Sequence, residues 1–215
     1  LVNRTKNRPI ASGIISIKLS FFYILFLCLF SFLILLQFNK FTILLGLGSM
    51  VLAFSYPFMK RITYWPQLFL GLTFNWGMIM AWVSINNTIS FEIVLLYISA
   101  IFWTLGYDTI YGAQDISDDE VIGVKSTSIK FKKNIKWFVS LCYLISSILI
   151  IYLFINYMQY NIYNFIILLF ICSLMYQIQI FSKKEPKKCL TAFKINNLSG
   201  LILFLAIILN STQFN

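Results

Sequence analysis

The chain alternates long apolar runs with short polar connections. Seven runs stand out: 19–38, 41–58, 66–84, 91–107, 135–155, 162–181 and 198–214. The charged residues inside them are Glu92 and Lys136, each at the end of its run. Every run has about the length a helix needs to cross a hydrocarbon core of ~30 Å. Strands of a membrane barrel would be shorter and would alternate polar with apolar positions, which these runs do not. The pattern predicts an all-α fold, a polytopic transmembrane helical bundle with seven helices in this chain and no soluble domain. Short connections at 39–40, 85–90 and 156–161 predict antiparallel neighbours. Pro57 and Pro66 predict breaks that bracket a loop.

Composition agrees with a lipid solvent. Hydrophobic residues are 60% of the 215 and charged residues 11%, more apolar surface than a soluble domain of this size hides. The formal net charge of +10 would suit nucleic acid, but its distribution argues against that. When the connections are numbered alternately, one side of the membrane receives 16 of the 17 Lys and Arg residues, and the other receives Lys40 alone. The positive-inside rule then places the N-terminus and the 57–65, 108–134 and 182–197 loops in the cytoplasm. The basic excess is first a topology signal; attraction to anionic lipid or a phosphorylated substrate is a secondary use. The chain has no histidine, which removes imidazole general bases and ligands. Cys28, Cys142, Cys172 and Cys189 show no metal or pairing pattern and read as small apolar packers.

The candidate chemistry is concentrated in one loop. Five of the seven carboxylates fall within thirteen residues: Asp108, Asp115, Asp118, Asp119 and Glu120. Like charges repel at this density unless cations are present; a merely solvated acidic loop is the bland alternative. Tyr107, Tyr111, Asp115 and Asp119 recur every four residues. If helix 91–107 continues past the membrane surface, they share one face, beside Asp108. Asp115 and Asp119 would then aim two carboxylates at one point. Hard oxygen ligands suit Mg²⁺, which takes one or two carboxylates and fills its shell with water and substrate phosphate. The expectation is a Mg²⁺-bridged phosphate or diphosphate, with Lys125 as a compensating cation.

The stretch YDTIYGAQDISDDEVIGVKSTSIKF (107–131) resembles the second aspartate motif of the UbiA superfamily of intramembrane prenyltransferases. RTKNRPIASG (4–13) resembles the tail that follows that superfamily's first aspartate motif. YPFMKRITYWPQLFLGLTFNWG (56–77) and EPKKCLTAFKINNLSGLILF (185–204) resemble segments of its 4-hydroxybenzoate polyprenyltransferase branch. Together they cover the chain end to end. The resemblance implies a nine-helix fold in which two aspartate motifs face each other across a cytoplasmic cavity. By that reading residues 1–215 are a single integral-membrane prenyltransferase domain, seven helices of the nine. Two helices and a first motif of the form N-D-x-x-D-x-x-x-D would precede Leu1.

What the resemblance implies about function is specific. A Mg²⁺ ion held by Asp115 and Asp119 would neutralise a polyprenyl diphosphate, and the prenyl group would pass to the ring of 4-hydroxybenzoate in ubiquinone biosynthesis. Tyr107 and Tyr111 would stabilise the allylic cation through their ring faces. Arg61 would pair with the acceptor carboxylate, although Lys60 and Arg61 also serve as topology charges. Asp108, Lys125, Asn75 and Arg8 complete the expected substrate contacts. Arg4 shares the reading of Arg8, a diphosphate contact or a loop anchor, and Asn75 has helix–helix hydrogen bonding as its alternative. The implied location is the cell inner membrane, with the site facing the cytoplasm. Two other readings stay open at this point. One is a non-catalytic remnant, or a split enzyme completed by an N-terminal partner fragment. The other is a divalent-cation transporter, although no carboxylate lies deep in any run.

Overall fold

The computed structural model describes residues 7–157 and 164–211, and every regular element among them is helical. The order is α1 (Ile17–Leu35), α2 (Lys40–Ile62), α3 (Pro66–Phe74), α4 (Trp76–Asn86), α5 (Phe91–Gly112), α6 (Ile116–Ile122), α7 (Thr127–Lys130), α8 (Ile135–Tyr157), α9 (Phe165–Ile180), α10 (Pro186–Lys194) and α11 (Asn196–Ser211). Six segments are long and apolar enough to cross a membrane, and the shorter apolar helix α9 joins them. That is one for each of the seven runs, so the protein is a multi-pass membrane protein.

Four local expectations change. Pro57 does not end a helix: α2 runs through it to Ile62. A proline removes one backbone bond, and membrane helices tolerate it because surrounding turns and neighbours hold the rest. Pro66 does start a helix, at the first position of α3, where its missing N–H costs nothing. The third run is interrupted at Asn75, which separates α3 from α4. The fourth helix does continue past residue 107, but only to Gly112; a 3₁₀ turn, Ala113–Asp115, then leads into α6. Tyr107, Tyr111, Asp115 and Asp119 are therefore not one uninterrupted α-helical stripe. The 182–197 loop, finally, contains the amphipathic α10, which buries Cys189 and Ala192. The connection expected at 156–161 lies mostly outside the described residues.

The core is built on α5 and α8. Gly106 of α5 lies so close to the Tyr143 ring of α8 that a Cβ there would collide with it. Ser99 and Ser146 meet at the same interface, with their hydroxyl oxygens 3.0 Å apart. On the other flank of α5, Gly71 of α3 lets the two backbones approach; a Cβ at Gly71 would sit 3.1 Å from the Ile101 carbonyl oxygen. A buried polar chain ties in α9 and α11: Tyr143 donates to Gln177 Oε1 at 2.6 Å, and Gln177 Nε2 donates to Ser199 Oγ at 3.0 Å. Lipid gives apolar side chains little reason to prefer each other, so small residues and interhelical hydrogen bonds carry the packing. By contrast α1 buries no residue, and an apolar cavity of about 790 Å³, lined by Phe32, Leu35, Gly46, Met50 and Met80 among others, opens between it and α2.

Candidate active site

The membrane-surface end of α5 is held by polar bonds that the apolar pattern does not announce. Gln67, buried near the start of α3, accepts from the Thr127 amide at 2.9 Å. Thr109 and Thr127 share a hydroxyl hydrogen bond of 2.7 Å, and Ser128 donates to the Thr109 carbonyl at 2.7 Å. Gly112 makes room, since a Cβ there would come within 2.7 Å of Ser128 Oγ. Next along, Gly123 has φ +80° and ends α6 in a Schellman turn: the Val124 amide returns to the Asp119 carbonyl at 3.0 Å and the Gly123 amide to that of Glu120 at 3.3 Å. The following strand of loop is stitched to the end of α2. The Lys125 amide donates to the Lys60 carbonyl at 2.7 Å, and Lys125 Nζ donates to the Ile62 carbonyl at 3.1 Å. Lys125 thus caps the carbonyl end of α2, where a cation is favoured.

This stitching sets Lys60 opposite α6. Lys60 Nζ stands 3.6 Å from Asp119 Oδ2. Asp119 is 3% exposed and Asp115 is 9% exposed, and the two carboxylates repel each other across the site, with Asp118 adding to the effect. Asp115 occupies the N-cap position of α6 but makes no capping bond with its side chain. Asp119 Oδ2 is buried and has no hydrogen-bond partner among the described residues. A buried carboxylate oxygen satisfied only by a loose ion pair is costly, so the site is short of positive charge. The donor set therefore fits a hard divalent cation, which takes one or two carboxylates and completes its shell with water and phosphate oxygens. Among the described residues no group of three His, Cys, Asp or Glu side chains converges as a metal site; two carboxylates are what Mg²⁺ ordinarily takes from a protein when phosphate completes its shell.

Beside the carboxylates is an aromatic wall. Tyr107 lies edge-on to Trp103 at 6.2 Å and to Phe193 at 5.8 Å, and Tyr111 is tilted against Phe193 at 4.5 Å. Trp103 is fixed by an indole N–H bond to Asn196 Oδ1 at 2.9 Å. Asp108 is half-buried on α5, within electrostatic reach of Lys60, Tyr56 and Tyr107.

The sequence-predicted residues divide into two groups. Asp108, Asp115, Asp119, Tyr107 and Tyr111 come together at one end of the bundle. Arg61 is an exposed neighbour of Lys60 in the last turn of α2, and Arg8 is exposed on the turn that precedes α1. Arg4 lies outside the described residues. Asn75 donates within α3 to Gly71 O at 2.8 Å and across to Thr104 Oγ1 of α5 at 2.9 Å, a helix–helix hydrogen bond. Sequence reasoning missed Lys60 as the partner of Asp119, and it missed Phe193. The first had no local signal. The second did have one: Cys189, Ala192, Phe193 and Asn196 recur at three- and four-residue intervals, the mark of a helix face.

A model of the UbiA prenyltransferase family matches residues 1–206. The chain belongs to that family. A 4-hydroxybenzoate octaprenyltransferase of Aliivibrio fischeri (strain MJ11) is 42% identical over 208 residues, 96% of this chain and 72% of the relative. The mitochondrial 4-hydroxybenzoate polyprenyltransferase of Homo sapiens is 41% identical over 212 residues, 98% of this chain and 57% of the relative. The apo structure of a UbiA homolog from Aeropyrum pernix K1 superposes with a TM-score of 0.82 at 21% identity, covering 97% of this chain and 78% of that one. A digeranylgeranylglyceryl phosphate synthase structure in membranes gives 0.72 at 16%, covering 99% and 76%. At these identities the structural likeness speaks for the UbiA fold.

Proposed function

We propose that this UbiA-family protein transfers a polyprenyl group from a polyprenyl diphosphate to the ring of 4-hydroxybenzoate, in ubiquinone biosynthesis, with Mg²⁺ as the working metal. The reading draws its substrate names from relatives 36–49% identical. The observation that carries it in the structure is the buried carboxylate pair Asp115 and Asp119, of which Asp119 Oδ2 has no hydrogen-bond partner among the described residues.

Asp115 and Asp119 would hold the divalent cation, which supplies Lewis-acid neutralisation of the departing diphosphate. Lys60 is a positive charge already in the site, and it is placed to interact with diphosphate oxygens as well as with Asp119. The bond between the isoprenoid C1 and the diphosphate oxygen breaks, and its electron pair leaves with the diphosphate. Tyr107, Tyr111, Phe193 and Trp103 wall the allylic cation from water and offer it their ring faces. The ring carbon ortho to the phenol forms the new C–C bond, and the proton on that carbon is lost. Arg61, on the rim, is assigned the acceptor carboxylate, since a guanidinium pairs with it bidentately. The site faces the cytoplasm, on the side that carries nearly all the lysines and arginines.

The test is direct. The intact protein in membranes is given 4-hydroxybenzoate and a radiolabelled polyprenyl diphosphate. Prenylated acid should form, should stop on chelation and should return with Mg²⁺. Turnover that survives chelation would remove the metal. Labelled product with a different acceptor and none with 4-hydroxybenzoate would reassign the substrate.

A further inference from the structure

A second charged site lies apart from the carboxylates. A groove of about 600 Å³ opens between the start of α8 and the connection from α9 to α10. Its lining includes Lys133, Lys136, Lys183, Lys184 and Lys188, against a single carboxylate, Glu185. Glu185 is already paired with Lys188 at 2.8 Å. Lys183 Nζ is occupied in joining the two loops, donating to the Lys132 carbonyl at 3.1 Å. The ammonium groups of Lys133, Lys136 and Lys184 form no hydrogen bond or ion pair with any described residue.

Topology alone asks only that positive charges lie somewhere in the loops on one side. It does not ask loops distant in sequence to bring five of them into one concavity, where they repel. That convergence calls for an anion. The surroundings say which kind. Trp137, also in the lining, is 63% exposed, and Leu141, Leu144 and Ile148 follow it at helical spacing and are exposed as well. This stripe runs from the basic groove down the lipid-facing side of α8. A headgroup seated on the lysines would lay its acyl chains along it, with the indole at the interface. A soluble phosphate would have no use for the stripe. The Lys132–Glu120 ion pair at 2.7 Å puts the groove on the same side of the membrane as Asp119.

We propose that this groove binds the headgroup of an anionic phospholipid, one with two phosphates such as a diphosphatidylglycerol, in the leaflet on the Asp119 side. Native mass spectrometry of the intact protein in neutral detergent tests it. With added diphosphatidylglycerol the wild type should retain one lipid. The K133Q/K136Q/K184Q variant should bind it at least about tenfold more weakly, given the contribution of each surface lysine to anionic-lipid attraction. K133R/K136R/K184R, which keeps the charges, should restore binding, and K187Q/K194Q, on the same side but outside the groove lining, should leave it unchanged. Millimolar inorganic phosphate should not displace the lipid. Displacement by phosphate would make this a soluble-anion site. Equal weakening in K187Q/K194Q would reduce it to diffuse surface charge. Failure of the arginine variant to restore binding, or no retained lipid in the wild type, would overturn it.

Discussion

Helices α1 and α5 are both long apolar spans, yet they stand at opposite extremes of packing. The more apolar of the two, α1, buries nothing against the other described residues; α5 buries half of its apolar stretch. In water the order would be reversed, because apolar area drives burial. In lipid that drive is absent between helices. What distinguishes α5 is its small and hydroxylated side chains: Ser99, Thr104, Gly106 and Thr109 are all buried at contacts with other helices or loops. The residues that let α5 pack are also those that hold its surface end still, so the carboxylates of α6 rest on the best-packed part of the molecule.

This contrast can be broken, and the largest expected effect is chemical. Asp119→Ala in the intact protein should lower prenyl transfer by about 10³-fold, the scale of losing a transition-state charge partner, with membrane insertion unchanged. A near-normal rate would move the chemistry away from the α5–α6 end. In packing, Gly106→Ala should cost about 3 kcal/mol by overpacking, because the Tyr143 ring it meets is held by Gln177; thermal unfolding in detergent reads this. A neutral result would mean that α5 and α8 are not rigidly apposed. Gln67→Leu should cost about 2 kcal/mol by orphaning the buried Thr127 amide. Hydrogen exchange should then rise first across 123–130; a rise confined to α1 would contradict the stitching.

Arg61→Ala sharpens the comparison at the rim. It should raise the KM for the aromatic acid by about tenfold and leave that of the diphosphate donor little changed; the opposite split would reassign the residue to the donor. The smallest effect belongs to α2. Gly48 has no atom within 4 Å of an added Cβ, so Gly48→Ala should be neutral or stabilising by about 0.5 kcal/mol, from helix propensity alone. Set beside Gly106→Ala, the same chemical change would then differ in sign between the two regions.

Much of this was legible in the chain. The seven runs, their crossings and the lysine and arginine asymmetry follow from solvent matching, which acts residue by residue and so leaves a mark in composition. The acidic cluster was legible for the same reason, since five carboxylates in thirteen residues are costly without a cation. The tertiary structure decided the partners. Periodicity suggested one stripe from Tyr107 to Asp119, but a 3₁₀ turn interrupts it at Ala113–Asp115. Pro57 looked like a helix end and is not, because the turns on either side outweigh one lost bond. Lys60 looked like a topology charge until the Lys125 stitch fixed the end of α2 beside α6 and set it opposite Asp119. Hydrophobic pattern reports what a residue is solvated by. Which charge meets which carboxylate depends on contacts between residues far apart in sequence, and in lipid those contacts are chosen by a few glycines, hydroxyls and amides that leave almost no periodic signal.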